Sequence, residues 1–574
     1  HFKDHNKIQI ITGFIASDEN GEITTLGRGG SDFTASLFGA ALNCDEIEIW
    51  TDVNGILTAD PDKVDEAIPL RAVTYQEAME MSYFGAKVIY PPTMQPALNS
   101  GIKIRIRNTF EPSFKGTLIL RKQPKIKFSA KGISSMDNVT LLRISGSGLF
   151  GNEEISSRIF DTLAENKIKT MLLTQGSSGL SICIAVLPQD GTKAENAIKQ
   201  SLRLEIFDGR INEITAEEEL SIVAVVGEDM RHTPGISGKV FDALGKNGIN
   251  IIAIAQGSSE LNISFVIKKE ELSKALNVLH DALLLAQRKV YNLFLVGTGL
   301  VGKSLLQHLD EKREFLVNER SIEIKLAGLA NSKKMIINGR GIDIEKWNEE
   351  LLSSERSSNM DLFVDEICEL NLANSIFVDC TANEAAIPYY LKILESNISI
   401  TTPNKIANSK DYDFYMNLKK TATKSNVKFV YSTNVGAGLP IIRTIQEIVN
   451  SGEKIIKIEG VLSGTLSYLF NSFQGDVEFS ELVKAAKANC YTEPYPREDL
   501  NGLDLSRKLL IIIREIGISI ELSDIDVENL VPENARKDMN VDQFFDVLVE
   551  SDPEFRERRR LAEERGNVLR YMAI

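Results

Sequence analysis

The chain has 574 residues, of which 43% are hydrophobic and 25% charged. That is globular composition, enough for roughly four domains at about 150 residues each. Acidic side chains outnumber basic ones 80 to 65, a net charge of −15. This excludes a general nucleic-acid binder or a protein that coats an anionic membrane, though not a local basic pocket for a small anion. Five cysteines, Cys44, Cys183, Cys368, Cys380 and Cys490, show no CxxC pair, and the histidines show no HExxH spacing. Reduced thiols in a cytoplasmic protein are therefore expected, with neither a disulfide frame nor a histidine metal site. No apolar run reaches about 18 residues, so no membrane span is expected.

Residues 1–125 alternate short apolar strands, Gly-rich turns and amphipathic helices, an α/β pattern. Ile8–Thr12 reads as a first strand, Glu46–Trp50 as another, Phe33–Leu42 and Thr74–Phe84 as helices. Between strand and helix lies Thr25-Leu-Gly-Arg-Gly-Gly-Ser-Asp32. Its glycines let backbone approach an anion at the helix start, and Arg28 suits a carboxylate. A turn whose Ser31 or Asp32 only caps the helix explains the same residues. Trp50-Thr-Asp-Val-Asn-Gly-Ile-Leu57 suits a nucleotide rim or a plain turn. Lys87, after Phe84-Gly-Ala, suits phosphate oxygens or a solvated helix end.

Residues 126–285 carry an internal repeat. Thr174-Gln-Gly-Ser-Ser178 recurs as Ala255-Gln-Gly-Ser-Ser259, an offset of 81 residues that also relates Phe160-Asp161 to Phe241-Asp242 and Asn166 to Asn247. Each copy reads as strand, helix, strand, turn, strand, and two copies suggest a pseudo-symmetric pair.

Residues 286–430 read as a doubly wound α/β unit. Val290–Val296 is an apolar strand, and Gly297-Thr298-Gly299-Leu300-Val301-Gly302 opens the helix after it. That context makes a GxGxxG run a dinucleotide fingerprint: Gly297 for the turn, Gly299 for close approach of a pyrophosphate, Gly302 for helix packing. The next strand ends at Ala330 with no acidic residue for a ribose hydroxyl. Asn331, Ser332, Lys333 and Lys334 suit a 2′-phosphate instead, favouring NADP over NAD. Cys380-Thr381 and Thr401-Thr-Pro-Asn-Lys405 follow later strands, where ligands of such sheets bind. Residues 431–574 are helix-rich. Asp504–Ile518 reads as an amphipathic helix with Asp504 and Lys508 on one face, an arrangement equally suited to an exposed ion pair. Arg570–Ile574 reads as a strand beginning, and both chain ends read as lying inside folded domains.

Taken together, the motifs of residues 1–125 resemble the C-terminal part of the aspartate kinase catalytic domain, an amino-acid-kinase α/β fold. The resemblance implies that Phe14, Thr25, Arg28, Ser31 and Asp32 face aspartate and that Thr51, Asp52 and Lys87 face ATP, with Mg2+. The family's N-terminal Lys-Phe-Gly-Gly-Thr-Ser segment is not in the sequence, so little kinase activity is expected of the chain as written. The repeat resembles tandem ACT domains, ferredoxin-like βαββαβ units, with Gln175 and Gln256 as implied contacts for regulatory threonine.

The remainder resembles homoserine dehydrogenase: a Rossmann NAD(P)-binding domain and an α+β substrate domain. The resemblance rests on Asn434-Val-Gly-Ala-Gly-Leu-Pro440, Gly460-Val-Leu-Ser-Gly-Thr-Leu-Ser-Tyr468, Tyr491-Thr-Glu-Pro494 and Asp499-Leu-Asn-Gly-Leu-Asp-Leu-Ser-Arg-Lys508. It implies Lys508 as proton donor and acceptor, Glu493 and Asp504 as holders of the substrate ammonium, and Lys405 as an orienting group. It also implies a Na+ site of backbone carbonyls at Ser432, Val435, Ala437 and Leu439. The order of the three parts resembles the bifunctional aspartokinase/homoserine dehydrogenases, multidomain α/β enzymes. Phosphorylation of L-aspartate, reduction of aspartate 4-semialdehyde to L-homoserine with NADPH, threonine feedback and a homo-oligomer are what that implies. A threonine-sensing remnant and a monofunctional dehydrogenase with a vestigial kinase half are the rival expectations.

Overall fold

The structure is a computed structural model and describes residues 8–27, 29–86, 89–122, 130–150, 153–176, 179–231, 233–257, 259–283, 288–493, 495–537 and 539–574. The chain divides into two compact units: His1–Tyr291 with Arg313–Glu323 and Asn371–Asn374, and Asn292–Lys312 with Ile324–Leu370 and Ser375–Ile574. Among the described residues no helix is long and apolar enough to cross a membrane.

In the first unit, a four-stranded sheet runs in the order Glu46–Thr51, Lys103–Asn108, Thr117–Leu120, Ala72–Thr74. The first two strands pair in parallel, with alternate residues Ile47, Ile49, Ile104 and Ile106 buried. The Tyr75–Tyr83 helix starts at a capping box, Thr74 accepting the Glu77 N–H while Glu77 accepts the Thr74 N–H. Ile8–Thr12 forms no strand. The first strand is Ile15–Ser17, paired with Ile23–Thr25.

The repeat folds into one six-stranded sheet, ordered Ala253–Gln256, Asn262–Lys268, Glu213–Val226, Gly132–Ser145, Ser181–Val186, Thr170–Gln175. Its two central strands have 14 residues each and pair antiparallel, with a register break between Glu217 and Leu220. Each central strand therefore serves both copies: Glu213–Glu217 completes the first, Gly132–Val139 the second. The period of two sorts their side chains. Ile222, Ala224 and Val226 face one core, and Val223 and Val225 the other. The βαββαβ resemblance holds, while the reading from local pattern needs correction. Each copy also has a second helix, Pro188–Ser201 and Leu272–Leu283, that the strand-helix-strand-turn-strand reading omits. These helices, with Glu153–Glu165 and Ile236–Lys246, bury Ile198, Leu276, Ile159 and Val240.

A further six-stranded sheet, all but the first residues of two strands in the second unit, is ordered Met335–Ile342, Ile322–Ala330, Lys289–Val296, Ser375–Asp379, Ser399–Thr401, Phe429–Val430. Its last four strands are parallel, and the Met335–Ile342 edge is antiparallel. Helices dominate from Ile441 onward. The Arg570–Ile574 segment forms only an isolated bridge, Ala573 with Gly460.

His280 offers a stability test in the first unit. It is fully buried, with Nε2 2.9 Å from the Thr58 hydroxyl and Nδ1 unpartnered. Burial lowers its pKa to about 4. The folded unit thus holds neutral imidazole where the unfolded chain is protonated. Its contribution is complete above about pH 6.5 and is lost as pH falls towards 4, about 3 kcal/mol in all. Burial pushes neighbouring Asp281 up to about 7, with the opposite slope, so the comparison must be differential. Urea unfolding of wild type and His280→Gln from pH 7.5 to 4.5 is expected to converge in midpoint as pH falls.

Candidate functional site

The cofactor turn is built by glycine. Gly297 has φ 93°, and a Cβ there would lie 2.8 Å from the Cys380 carbonyl carbon. A Cβ at Gly302 would meet the Gly297 carbonyl oxygen at 2.0 Å, so helix and turn touch backbone to backbone. Gly299 instead borders open space. It is the N-cap of the Leu300–Glu311 helix, without a side-chain cap. The first N–H groups therefore face outward beside exposed Leu300 and Val301, with Thr298 between the glycines. Beyond Ala330, the Asn331 side-chain oxygen accepts the N–H groups of Lys333 and Lys334 at 2.8 Å. Asn331 thus shapes the turn, leaving Ser332 and Lys333 exposed. Lys334 is tied to the Leu352 carbonyl.

Asp379 ends the adjacent strand, fully buried. It accepts the Thr381 N–H at 2.7 Å, the Tyr390 hydroxyl at 2.6 Å and the Asn404 amide at 3.3 Å. Asn404 also donates to the Asn383 carbonyl at 2.8 Å, and its N–H goes to Thr402 Oγ1 at 2.9 Å. Asn408 donates to Asn434 Oδ1 at 2.8 Å, and Asn434 to the Thr402 carbonyl at 3.0 Å. This buried ladder fixes Thr381 and the Lys405 loop together. The sequence motifs contain Asn404 and Asn434 without a role for either, and do not contain Asp379 or Asn408.

The lysines converge on one carboxylate. The Leu503–Glu515 helix starts one residue before the expected Asp504 and ends three before Ile518. Lys508 Nζ is 2.7 Å from Asp504 Oδ2 and donates to the Leu462 carbonyl at 2.7 Å. Lys405 Nζ lies 3.2 Å from Asp504 Oδ1. The Asp504–Lys508 pair is thus no ordinary exposed ion pair: the Lys508 side chain is only 15% exposed, and a third element closes on it. Burial works to raise the Asp504 carboxyl, but Lys405 and Lys508 hold it below its usual value. Glu493 is shifted upward by burial and by the charges of Asp499, Glu498 and Asp504. Asp499, also raised chiefly by burial, accepts the Glu493 N–H at 2.8 Å and the Thr465 hydroxyl at 3.0 Å. Asp499 lies inside the sequence motif, but nothing there marks it as part of this cluster.

In the carbonyl loop, Gly436 and Ala437 both have positive φ, 77° and 50°, which turns successive carbonyls. Among described residues no backbone N–H is donated to the carbonyls of Val435 and Ala437. The Leu439 carbonyl accepts the Ile441 N–H at 2.9 Å.

In the first unit, Gly29, not Ser31 or Asp32, caps the Gly30–Leu42 helix, at φ 72° and without a side-chain cap. The capping alternative for those side chains therefore fails. Ser31 and Thr25 are exposed, Asp32 half-buried with its carboxyl raised by burial. Phe14, at φ 75°, gives its carbonyl to the Leu26 N–H at 2.9 Å, bringing the two turns together. Thr51 Oγ1 donates to Asp52 Oδ1 at 3.0 Å. Arg28 and Lys87 lie outside the described residues. Gln175 and Gln256 are exposed at the ends of the two edge strands, which approach within Cα separations of 8 Å as the sheet curls.

Gly302→Ala must push the Leu300–Glu311 helix off Gly297. Loss of dinucleotide binding by fluorescence titration is expected, whereas Gly299→Ala is expected to leave the melting temperature unchanged.

Models of known families match four stretches. They are the amino acid kinase family at residues 1–108, the ACT domain at 142–202 and 223–283, the homoserine dehydrogenase NAD binding domain at 297–432 and homoserine dehydrogenase at 440–574. The chain is 40% identical over 575 residues to the chloroplastic bifunctional aspartokinase/homoserine dehydrogenase 2 of Arabidopsis thaliana, covering 99% of this chain and 63% of that protein. It is 38% identical over 567 residues to the bifunctional enzyme of Haemophilus influenzae, covering 99% of this chain and 69% of that one. The corresponding protein of Buchnera aphidicola is 38% identical over 570 residues, with 99% and 70% covered. The chain thus spans less than two thirds of the Arabidopsis relative. With four matched models in one order, and this identity along nearly its whole length, it belongs to the bifunctional aspartokinase/homoserine dehydrogenase family.

Proposed function

We propose that the second unit reduces L-aspartate 4-semialdehyde to L-homoserine with NADPH. The observation that carries this reading is the Asp504 carboxylate shared by Lys405 and Lys508. A nicotinamide bound on the Gly297–Gly302 turn supplies the hydride. Lys508 supplies the proton to the oxygen that the hydride leaves negative, and retrieves it in the reverse direction. Asp504 and the Leu462 carbonyl occupy two of its three N–H donors, directing the third at substrate. Glu493, Asp499 and Asp504 outnumber the two lysines, which leaves negative charge for the α-ammonium of an amino-acid substrate. The exposed Ser332 and Lys333 support a 2′-phosphate, and so NADP. The free carbonyls of Val435 and Ala437, with Ser432 and Leu439, fit a hard monovalent cation, Na+, which would brace the loop before the Ile441–Asn450 helix.

For the first unit we propose aspartate at Phe14, Thr25, Arg28, Ser31 and Asp32, and ATP at Thr51, Asp52 and Lys87, with Mg2+ beside Asp52. The uncapped start of the Gly30–Leu42 helix supports an anionic ligand there. Threonine at Gln175 and Gln256 is the proposed effector, in a homo-oligomer.

Lys508→Ala is expected to lower kcat/KM for NADP-dependent homoserine oxidation roughly 100-fold or more, with NADPH affinity unchanged. Turnover at the wild-type rate would exclude the assigned role. Under threonine titration, Gln256→Ala is expected to raise the half-inhibiting concentration roughly tenfold. An unaltered curve would remove that glutamine from the effector site.

A further inference from the structure

Lys508 and Arg514 lie six residues apart on the Leu503–Glu515 helix, about 9 Å along its axis at ~1.5 Å per residue. Arg514 and Glu515 end that helix, and both are buried. Neither touches the Asp504 cluster. Arg514 Nη1 donates to the carbonyls of Asn408 at 2.9 Å and Lys410 at 2.7 Å. Its Nη2 reaches the Ile520 carbonyl at 3.0 Å and Glu521 at 2.9 Å. Asn408 and Lys410 close the short Ile406–Ser409 helix, which begins immediately after Lys405.

Glu515 accepts the Tyr415 hydroxyl at 2.7 Å, the Gln446 amide at 2.7 Å, the Lys419 ammonium at 3.3 Å and the Tyr431 hydroxyl. Those partners come from the Tyr412–Lys424 helix, the Ile441–Asn450 helix and the end of the last sheet strand. Burial opposes the Glu515 charge, yet Lys419 and the hydroxyl and amide donors hold its carboxyl below the usual range. Buried ionic groups are a weak source of net stability, but their directional bonds fix a register strictly.

We propose that Arg514 and Glu515 are positioning residues for the dehydrogenase reaction. Through the Asn408 and Lys410 carbonyls, Arg514 holds the turn bearing Lys405 at the distance from which Lys405 meets Asp504. Glu515 locks the same helix to the Tyr412–Lys424 and Ile441–Asn450 helices and to Tyr431 just beyond the Phe429–Val430 strand, which fixes the helix that carries Asp504 and Lys508. The 402–410 segment is gripped at both ends: by Arg514 at Asn408 and Lys410, and by Asn434 at Thr402 and Asn408. This inference rests on the dehydrogenase reading above.

The test compares wild type with Arg514→Lys, which keeps the charge and loses the planar fork, and Glu515→Gln, which keeps the shape. Tyr431→Phe deletes a single hydroxyl and serves if either of the others fails to fold. Homoserine kcat and KM, NADPH affinity, melting temperature and a crystal structure are read for each. The expected result is a kcat lowered roughly 10- to 100-fold, NADPH affinity within about twofold, and Lys405 Nζ beyond hydrogen-bond reach of Asp504. Variants that fold, keep wild-type kcat and keep the 3.2 Å Lys405–Asp504 contact overturn it. So does a kcat loss that only tracks the melting temperature. A wild type without homoserine turnover refutes the dehydrogenase reading instead, and the Lys405–Asp504 distance in the variants then decides the positioning claim.

Discussion

Everything in the second unit that bears on chemistry turns on one carboxylate, Asp504, held between two ammonium groups. One lysine comes from its own helix, four residues on, and costs the fold little. The other, Lys405, comes from a loop after a sheet strand and has to be delivered. Partial burial works to raise this carboxyl, whose side chain is 47% exposed, and the two lysines together hold it below its usual value. The second ammonium meets Asp504 only when helix and loop are in register.

The means of delivery is a ladder of neutral amides. Asn408 donates to Asn434 and Asn434 to the Thr402 carbonyl, while Asn404 meets Thr402 through its backbone N–H and Asp379 through its amide, so they link through Thr402 without adding charge to a buried place. Asp379 anchors that ladder under the cofactor turn, where Thr381 is fixed by the same carboxylate. Cofactor turn and lysine loop are thus parts of one hydrogen-bonded body. The first unit meets a different constraint. Its two repeats share two long central strands, so neither copy closes its sheet without the other.

Sequence reading met this architecture unevenly, for reasons visible in particular residues. The glycine turn was legible because its steric demands are local: Gly297 and Gly302 sit five residues apart and touch each other's backbone. The repeat was legible because the 81-residue offset carries Gln175 onto Gln256. The Pro188–Ser201 helix follows from the βαββαβ resemblance and not from local pattern, since it buries only Gly191, Ala194 and Ile198, too small an apolar stripe to stand out. Ile8–Thr12 carries a strand-like apolar pattern, Ile8 and Ile10 alternating with Gln9 between them, yet it pairs with no strand among the described residues.

The sequence by itself determined the chemical inventory: the dinucleotide turn, the lysines, the acidic residues of the Tyr491–Lys508 stretch and the duplicated unit. Each of these is specified by residues close in the chain, whose geometry follows from backbone sterics and helical spacing. Tertiary structure alone decided which of them meet. Lys405 reaches Asp504 across about a hundred residues, Lys508 reaches the Leu462 carbonyl, and Arg514 reaches back to Asn408. No periodicity encodes such pairings, because a hydrogen bond in a buried site depends on where separate elements pack and not on how far apart their residues lie in sequence.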